Sequence, residues 1–114
     1  MNTGSVEDHF KKADSSVKEL YDRLLTAFRE FGPVIESPKK TCIHLDNKTG
    51  FAGVYVRRDY INLVLRTDYP IDNPRVAKTE QISKNRYHNT IRVNPTERFD
   101  KQFAKWLKDA YQLS

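Results

Sequence analysis

The sequence predicts an α+β protein: a two-layer sandwich in which an antiparallel sheet of about four strands carries an N-terminal and a C-terminal helix on one face. Three observations predict it. The stretch Thr41–Arg66 (TCIHLDNKTGFAGVYVRRDYINLVLR) holds three runs of period-two alternation, broken at Asn47–Gly50 and again at Arg58 and Asp59, which is the pattern of an antiparallel meander. Ahead of it, Val17, Leu20, Tyr21, Leu24, Phe28 and Phe31 recur at three- and four-residue spacing. Behind it, Phe99, Phe103, Trp106, Leu107, Ala110 and Tyr111 do the same, so each flank writes one apolar helical stripe. A chain of 114 residues with 38% hydrophobic content fits a single domain over residues 1–114, with a core that needs neither disulfide nor metal.

In chain order, Ser5, Val6, Glu7 and Asp8 read as a capping-box-like start to a short helical turn through about Lys12. Ser16, with Glu19 three residues on, predicts the cap of the first long helix, and Gly32 followed by Pro33 predicts its end. Pro33–Lys40 (PVIESPKK) is a connector with at most a strand fragment at Val34 and Ile35, because Pro38 is excluded from a sheet centre. Residues 67–89 contain two prolines and several turn formers without amphipathic period, and predict a long loop with one short helical turn. Thr90–Asn94 alternates again and reads as the last strand, after which Thr96 or Asp100 caps the final helix.

The meander sorts its side chains by face. Ile43, Leu45, Ala52, Val54, Val56, Ile61, Leu63 and Leu65 share the apolar side; Cys42, His44, Tyr55, Arg57, Tyr60, Asn62 and Arg66 share the other. The helices belong on the first. The second is basic and aromatic, as is the stretch after it: Arg92 points outward, and Arg75, Lys78, Lys84, Arg86 and His88 lie in the expected loop with Tyr69 and Tyr87. Lys39 and Lys40 stand at the mouth of the first meander strand, where paired ammonium groups hold an anion or block sheet edges from aggregating.

Charge follows the same division. The formal net charge is +5, but residues 1–36 carry five basic and seven acidic side chains, so residues 37–114 hold a net +7. Such an imbalance favours polyanions through steering and counterion release, and it also keeps a small domain soluble. Cys42 is the only cysteine, no disulfide can form within the chain, and a reducing, cytoplasmic location without membrane insertion is the expectation.

Several short motifs together carry a resemblance: His9-Phe10, FGPVIESPKKTCI from Phe31, FAGVYV from Phe51, DNPR from Asp72 and WLKDAY from Trp106. In this order they resemble an uncharacterised bacterial and archaeal domain-of-unknown-function family (number 5655), often labelled "predicted transport protein". Its members look like stand-alone proteins or C-terminal appendages of larger chains, some of which resemble restriction or DNA-processing enzymes. The resemblance therefore implies an accessory binding role near nucleic acid. It offers no catalytic residues, and its transport label conflicts with the absence of a membrane-length apolar run in this sequence.

A search for catalytic chemistry yields none, and the expectation is a non-enzymatic module without cofactor or metal. His9, His44 and His88 fall in different elements without metal-ligand spacing, and no Gly-rich phosphate loop is present. Cys42 and His44 share a face but have neither an orienting acid nor an oxyanion hole. Two readings follow. In one, Lys39, Lys40, His44, Tyr55, Arg57, Tyr60, Arg66, Arg75, Lys84, Arg86 and Arg92 hold nucleic acid or another polyanion. In the other, the same surface docks a protein partner or a second copy of the chain, since Arg and aromatic residues are also the usual interface anchors.

Overall fold

Alternation in the meander is converted into strands as expected, but the sheet is wider than the apolar pattern announces. A computed structural model describes residues 5–114. A 3₁₀ turn at Glu7–Phe10 leads into helix α1 (Ser15–Arg29), followed by strands β1 (Ile35–Pro38), β2 (Ile43–Asp46), β3 (Gly50–Val56), β4 (Ile61–Thr67), β5 (Val76–Ser83) and β6 (Arg86–Val93), and by helix α2 (Lys101–Leu113). The strands form one antiparallel sheet in the order β1-β2-β3-β4-β6-β5.

Six strands therefore stand where about four were expected, and the long loop over residues 67–89 is corrected. That segment contains β5 and the first half of β6, joined by the two-residue turn Lys84-Asn85, since Ser83 pairs with Arg86. The physical reason is its position. β5 is an edge strand exposed over nearly its whole length, so neither face is buried and no apolar alternation is written into it. Its backbone pairs with β6, and that pairing leaves no trace in the hydropathy pattern. PVIESPKK likewise yields the opposite edge, β1, with Pro38 as its last residue.

The helix ends follow local chemistry. Ser5 and Asp8 cap reciprocally, Ser5 N–H to the Asp8 carboxylate (3.0 Å) and Asp8 N–H to Ser5 Oγ (3.3 Å). The predicted Ser16 cap is displaced: α1 starts at Ser15 with Asp14 in extended backbone before it, because Asp14 N–H is held by the Arg58 carbonyl at 2.8 Å. Asp100 caps α2, its Oδ1 accepting from Phe103 N–H at 2.8 Å. After α1 the chain turns at Gly32, where the φ of +148° and the 2.4 Å that would separate an added Cβ from Tyr111 Oη both favour glycine.

Both helices lie on one side of the sheet. Val17, Leu20, Tyr21, Leu24 and Phe28 of α1 and Phe103, Leu107 and Ala110 of α2 meet Ile43, Leu45, Val54, Ile61, Leu63, Leu65, Ile91 and Val93, all fully buried in one cluster. Each such aliphatic or aromatic side chain contributes about 1.5–3 kcal/mol. A bulge between Leu45↔Ala52 and Asp46↔Gly50 leaves Phe51 as the extra residue and turns it onto the helix side. There it meets Phe28 (4.9 Å between ring centroids) and Tyr111 (5.1 Å).

The connection from β4 to β5, residues 68–75, must pass β6, and it does so on the helix side. Tyr69 Oη donates to Asp109 of α2 (2.6 Å), Ile71 is buried, and Arg75 pairs with Asp100 (3.2 Å) and Glu97 (3.4 Å). Asn89, with no exposed surface, fixes the crossing. Its Oδ1 accepts from Ile71 N–H (3.0 Å) and from Thr79 Oγ1 (3.2 Å), while its Nδ2 donates to Leu65 O (3.2 Å) and Thr67 Oγ1 (2.8 Å). Because the crossover runs beneath α2, it does not cover the opposite face of the sheet.

Candidate functional site

The face turned away from the helices is built in three rows set by strand register. The middle row reads Ser37, His44, Gly53, Val64, Thr90 and Lys78 across β1, β2, β3, β4, β6 and β5. Towards one end lie Tyr55, Asn62 and Arg92, and towards the other Arg66, His88 and Glu80. His44, Arg57, Lys78, Glu80 and Arg92 are exposed, and Tyr55, Asn62, Val64, Arg66, His88 and Thr90 are half-buried. The expected division of the sheet into an apolar and a cationic face therefore holds.

Gly53 gives this face its relief. Between His44 and Val64 it leaves the backbone bare, and the missing side chain opens a hollow of about 140 Å³ lined by His44, Gly53, Tyr55, Val64, Arg66 and His88 among others. A second hollow of about 250 Å³ adjoins it, lined by Tyr55, Arg57, Asn62, Val64, Lys78, Glu80, His88 and Thr90. Tyr55, Val64 and His88 border both, so the two form one shallow groove across the strands with an aromatic ring on its wall.

The rim is cationic and partly fixed. Arg66 Nη1 donates to Gly50 O at 2.6 Å, which holds the guanidinium beside the groove. The Arg92 guanidinium lies 3.9 Å from the centroid of Tyr60, so that ring is occupied, while Tyr55 is left to the groove. Burial, and then the Cys42 thiol, push the Tyr55 phenol above its usual range, so the hydroxyl stays protonated. Burial, and then the Arg66 charge, hold the His88 imidazole below its ordinary 6.5, with Glu80 opposing only in part. Glu80 is an acid of the groove wall, and it stands 3.6 Å from Lys78.

His44, Tyr55, Arg57 and Arg66 line the groove, while Tyr60 and Arg92 form a stacked pair beside it. Lys39 and Lys40 sit in the β1–β2 turn, at the end of the sheet shared with Arg57, where His9 Nε2 donates to Lys39 O at 2.8 Å. Lys84 and Arg86 lie at the other end. Arg86 joins Arg66, Thr49 and Gly50 around a cavity of about 160 Å³ at the end of α2. Arg75 is separated from all of these: it lies on the helix side, paired with Asp100 and Glu97 over the rings of Phe103 and Trp106. It anchors the crossover instead. Val64 and Thr90 were missed as groove residues, and Lys78 and His88 were expected in a loop, because only strand register places them beside Tyr55.

Other groups that invite a catalytic reading are committed elsewhere. Cys42 is buried beside Tyr55, and Glu36 accepts from Tyr21 Oη (2.7 Å) and pairs with Arg29 (3.5 Å). Among the described residues, no group of three or more His, Cys, Asp and Glu is placed to hold a metal ion, and no helix is long and apolar enough to cross a membrane.

Comparison with known proteins returns no match among curated sequences or solved structures. The domain of unknown function DUF5655 matches residues 6–114, nearly the whole chain and every element of the sandwich. The chain thus belongs to the DUF5655 family.

Proposed function

We propose that the helix-free face of the sheet binds single-stranded nucleic acid. The observation that carries this reading is the groove at Gly53: two adjoining hollows of about 140 and 250 Å³, walled by Tyr55 and rimmed by Arg57, Arg66, Lys78, His44 and His88. Bases of any sequence stack on an aromatic face, which is worth about 1–3 kcal/mol per base, and the surrounding cations follow the phosphates. A single strand offers both rings and phosphates to such a surface, whereas a duplex keeps its rings stacked inside. The part is that of a binding module, and the net +7 of residues 37–114 supports the same partner.

Fluorescence anisotropy with a labelled oligonucleotide of about 16 nucleotides, single- or double-stranded, tests it. Gly53→Val is the decisive variant. A Cβ there would lie 3.6 Å from the Tyr55 ring and 3.9 Å from Val64 Cβ, ordinary contacts, and valine's methyl groups then occupy the hollow, with circular dichroism verifying that the variant is folded. The substitution should weaken single-strand binding by about tenfold, the equivalent of one lost stacking contact. Arg57→Ala with Arg92→Ala should lower the salt slope by about 0.7 for each phosphate contact removed. Failure of the wild-type protein to bind single strands at low salt, or equal affinity in Gly53→Val, refutes the assignment.

A further inference from the structure

β5 pairs with β6 along one side only, and among the described residues its other side faces no strand. Its residues from Ala77 to Ser83 are exposed. Eight residues of open backbone edge form a template for another strand, and here the side chains specify which one. Read against a reversed copy with Thr79 opposite Thr79, the run Lys78-Thr79-Glu80 is complementary to itself. Lys78 falls opposite Glu80 and Glu80 opposite Lys78.

We propose that two copies of the chain pair edge to edge through antiparallel β5 strands, with Thr79 on the two-fold axis. Lys78 and Glu80 both project on the groove face, as their register with Thr90 and His88 requires, so the pairing makes two cross-chain ion pairs on that face. Bulges between Val76 and Lys78 and between Gln81 and Ser83 bracket the run Lys78–Gln81, and Lys78, Thr79 and Glu80 lie within that regular stretch. Ile82, 54% exposed, is one of the two large hydrophobic side chains most open to solvent, and it lies on this same edge strand. The opposite edge is poorly suited: β1 has four residues and ends on Pro38, which has no N–H to donate.

In such a pairing the two-fold axis stands perpendicular to the sheet. The helices of both copies then lie on one side and their grooves on the other, as a continuous twelve-strand surface built from two six-stranded sheets. An interface restricted to one strand edge is of the small class, below about 1,200 Å², so the association is concentration-dependent and reversible.

Sedimentation equilibrium without nucleic acid tests the pairing independently of what the groove binds. The wild-type chain should move from monomer to dimer as its concentration rises to about 1 mM, the upper end of weak association. Lys78→Glu and Glu80→Lys each place like charges across the axis and should weaken self-association about tenfold. An equimolar mixture of the two variants restores both cross-chain pairs, and so does the double exchange K78E/E80K in a single chain; each should dimerise like wild type. Circular dichroism of the single variants verifies that they are folded. A wild-type chain that stays monomeric throughout, or single variants that associate as well as wild type, overturns the proposal, as does a mixture no better than either variant alone.

Discussion

Replacing Asn89 by alanine strips a partner from the Ile71 N–H, the Leu65 carbonyl and the Thr67 hydroxyl, all in a place without access to water, and from the exposed Thr79 hydroxyl as well. One buried polar group left unsatisfied costs about 1–3 kcal/mol, so Asn89→Ala should lower unfolding free energy by about 3 kcal/mol. Urea denaturation followed by circular dichroism reads the loss, and an unchanged midpoint would show that the crossover is held by something else. His88 gives a prediction of a different kind. Its folded-state pKa lies below the ordinary 6.5, so the unfolded chain binds the proton more readily. The associated stability is complete above 6.5 and is lost as pH falls through the lowered value. A phosphate in the groove reverses the sign for binding, because an anion favours the imidazolium. Affinity for a single strand should therefore rise on acidification from about pH 7.5 to 5.5, by up to about tenfold per unit of pKa recovered. His88→Gln should remove its share of that rise, and an identical pH profile in the variant would place the proton uptake on another group.

At the scale of elements, the turn after α1 is the least replaceable connection. Gly32→Ala puts a Cβ 2.4 Å from Tyr111 Oη at a φ that L-residues rarely adopt, and it disturbs the bond from that hydroxyl to Pro33 O (2.8 Å). The backbone strain alone is about 1–3 kcal/mol, and thermal unfolding should report a loss of at least this size. An unchanged melting temperature would mean that Tyr111 yields without cost. The amino-acid pattern made both long helices, the meander and the Gly32 stop legible, because each buries a periodic apolar side against something else. It left β5 and Arg86–Asn89 of β6 illegible for the complementary reason. Val76 and Ile82 are the only large apolar residues in β5, and polar side chains on an uncovered edge are also what a loop would carry. Asn89 misleads further, since an asparagine in a polar stretch reads as a turn former although here it is wholly buried.

For the whole molecule, the useful prediction from sequence was the division between the two sides of one sheet, and its success was uneven residue by residue. Tyr55, Arg57 and Arg66 reach the groove because they alternate with Val54, Val56 and Leu65, which is visible in a linear chain. Lys78 and His88 reach it only through pairing across β5 and β6, and Arg75 leaves it only because residues 68–75 pass under α2. Linear charge density cannot distinguish these cases. The connectivity of the sheet has one more consequence, for the moment of synthesis. β6 lies between β4 and β5, both of which precede it, so the outer hydrogen-bonding edge of β4 has no partner while a ribosome is still translating the codons for Arg86–Val93. Until those residues emerge from the exit tunnel, the nascent meander is an unfinished layer, and β5, whose strand pairing is to β6 alone, joins the sheet only when β6 does.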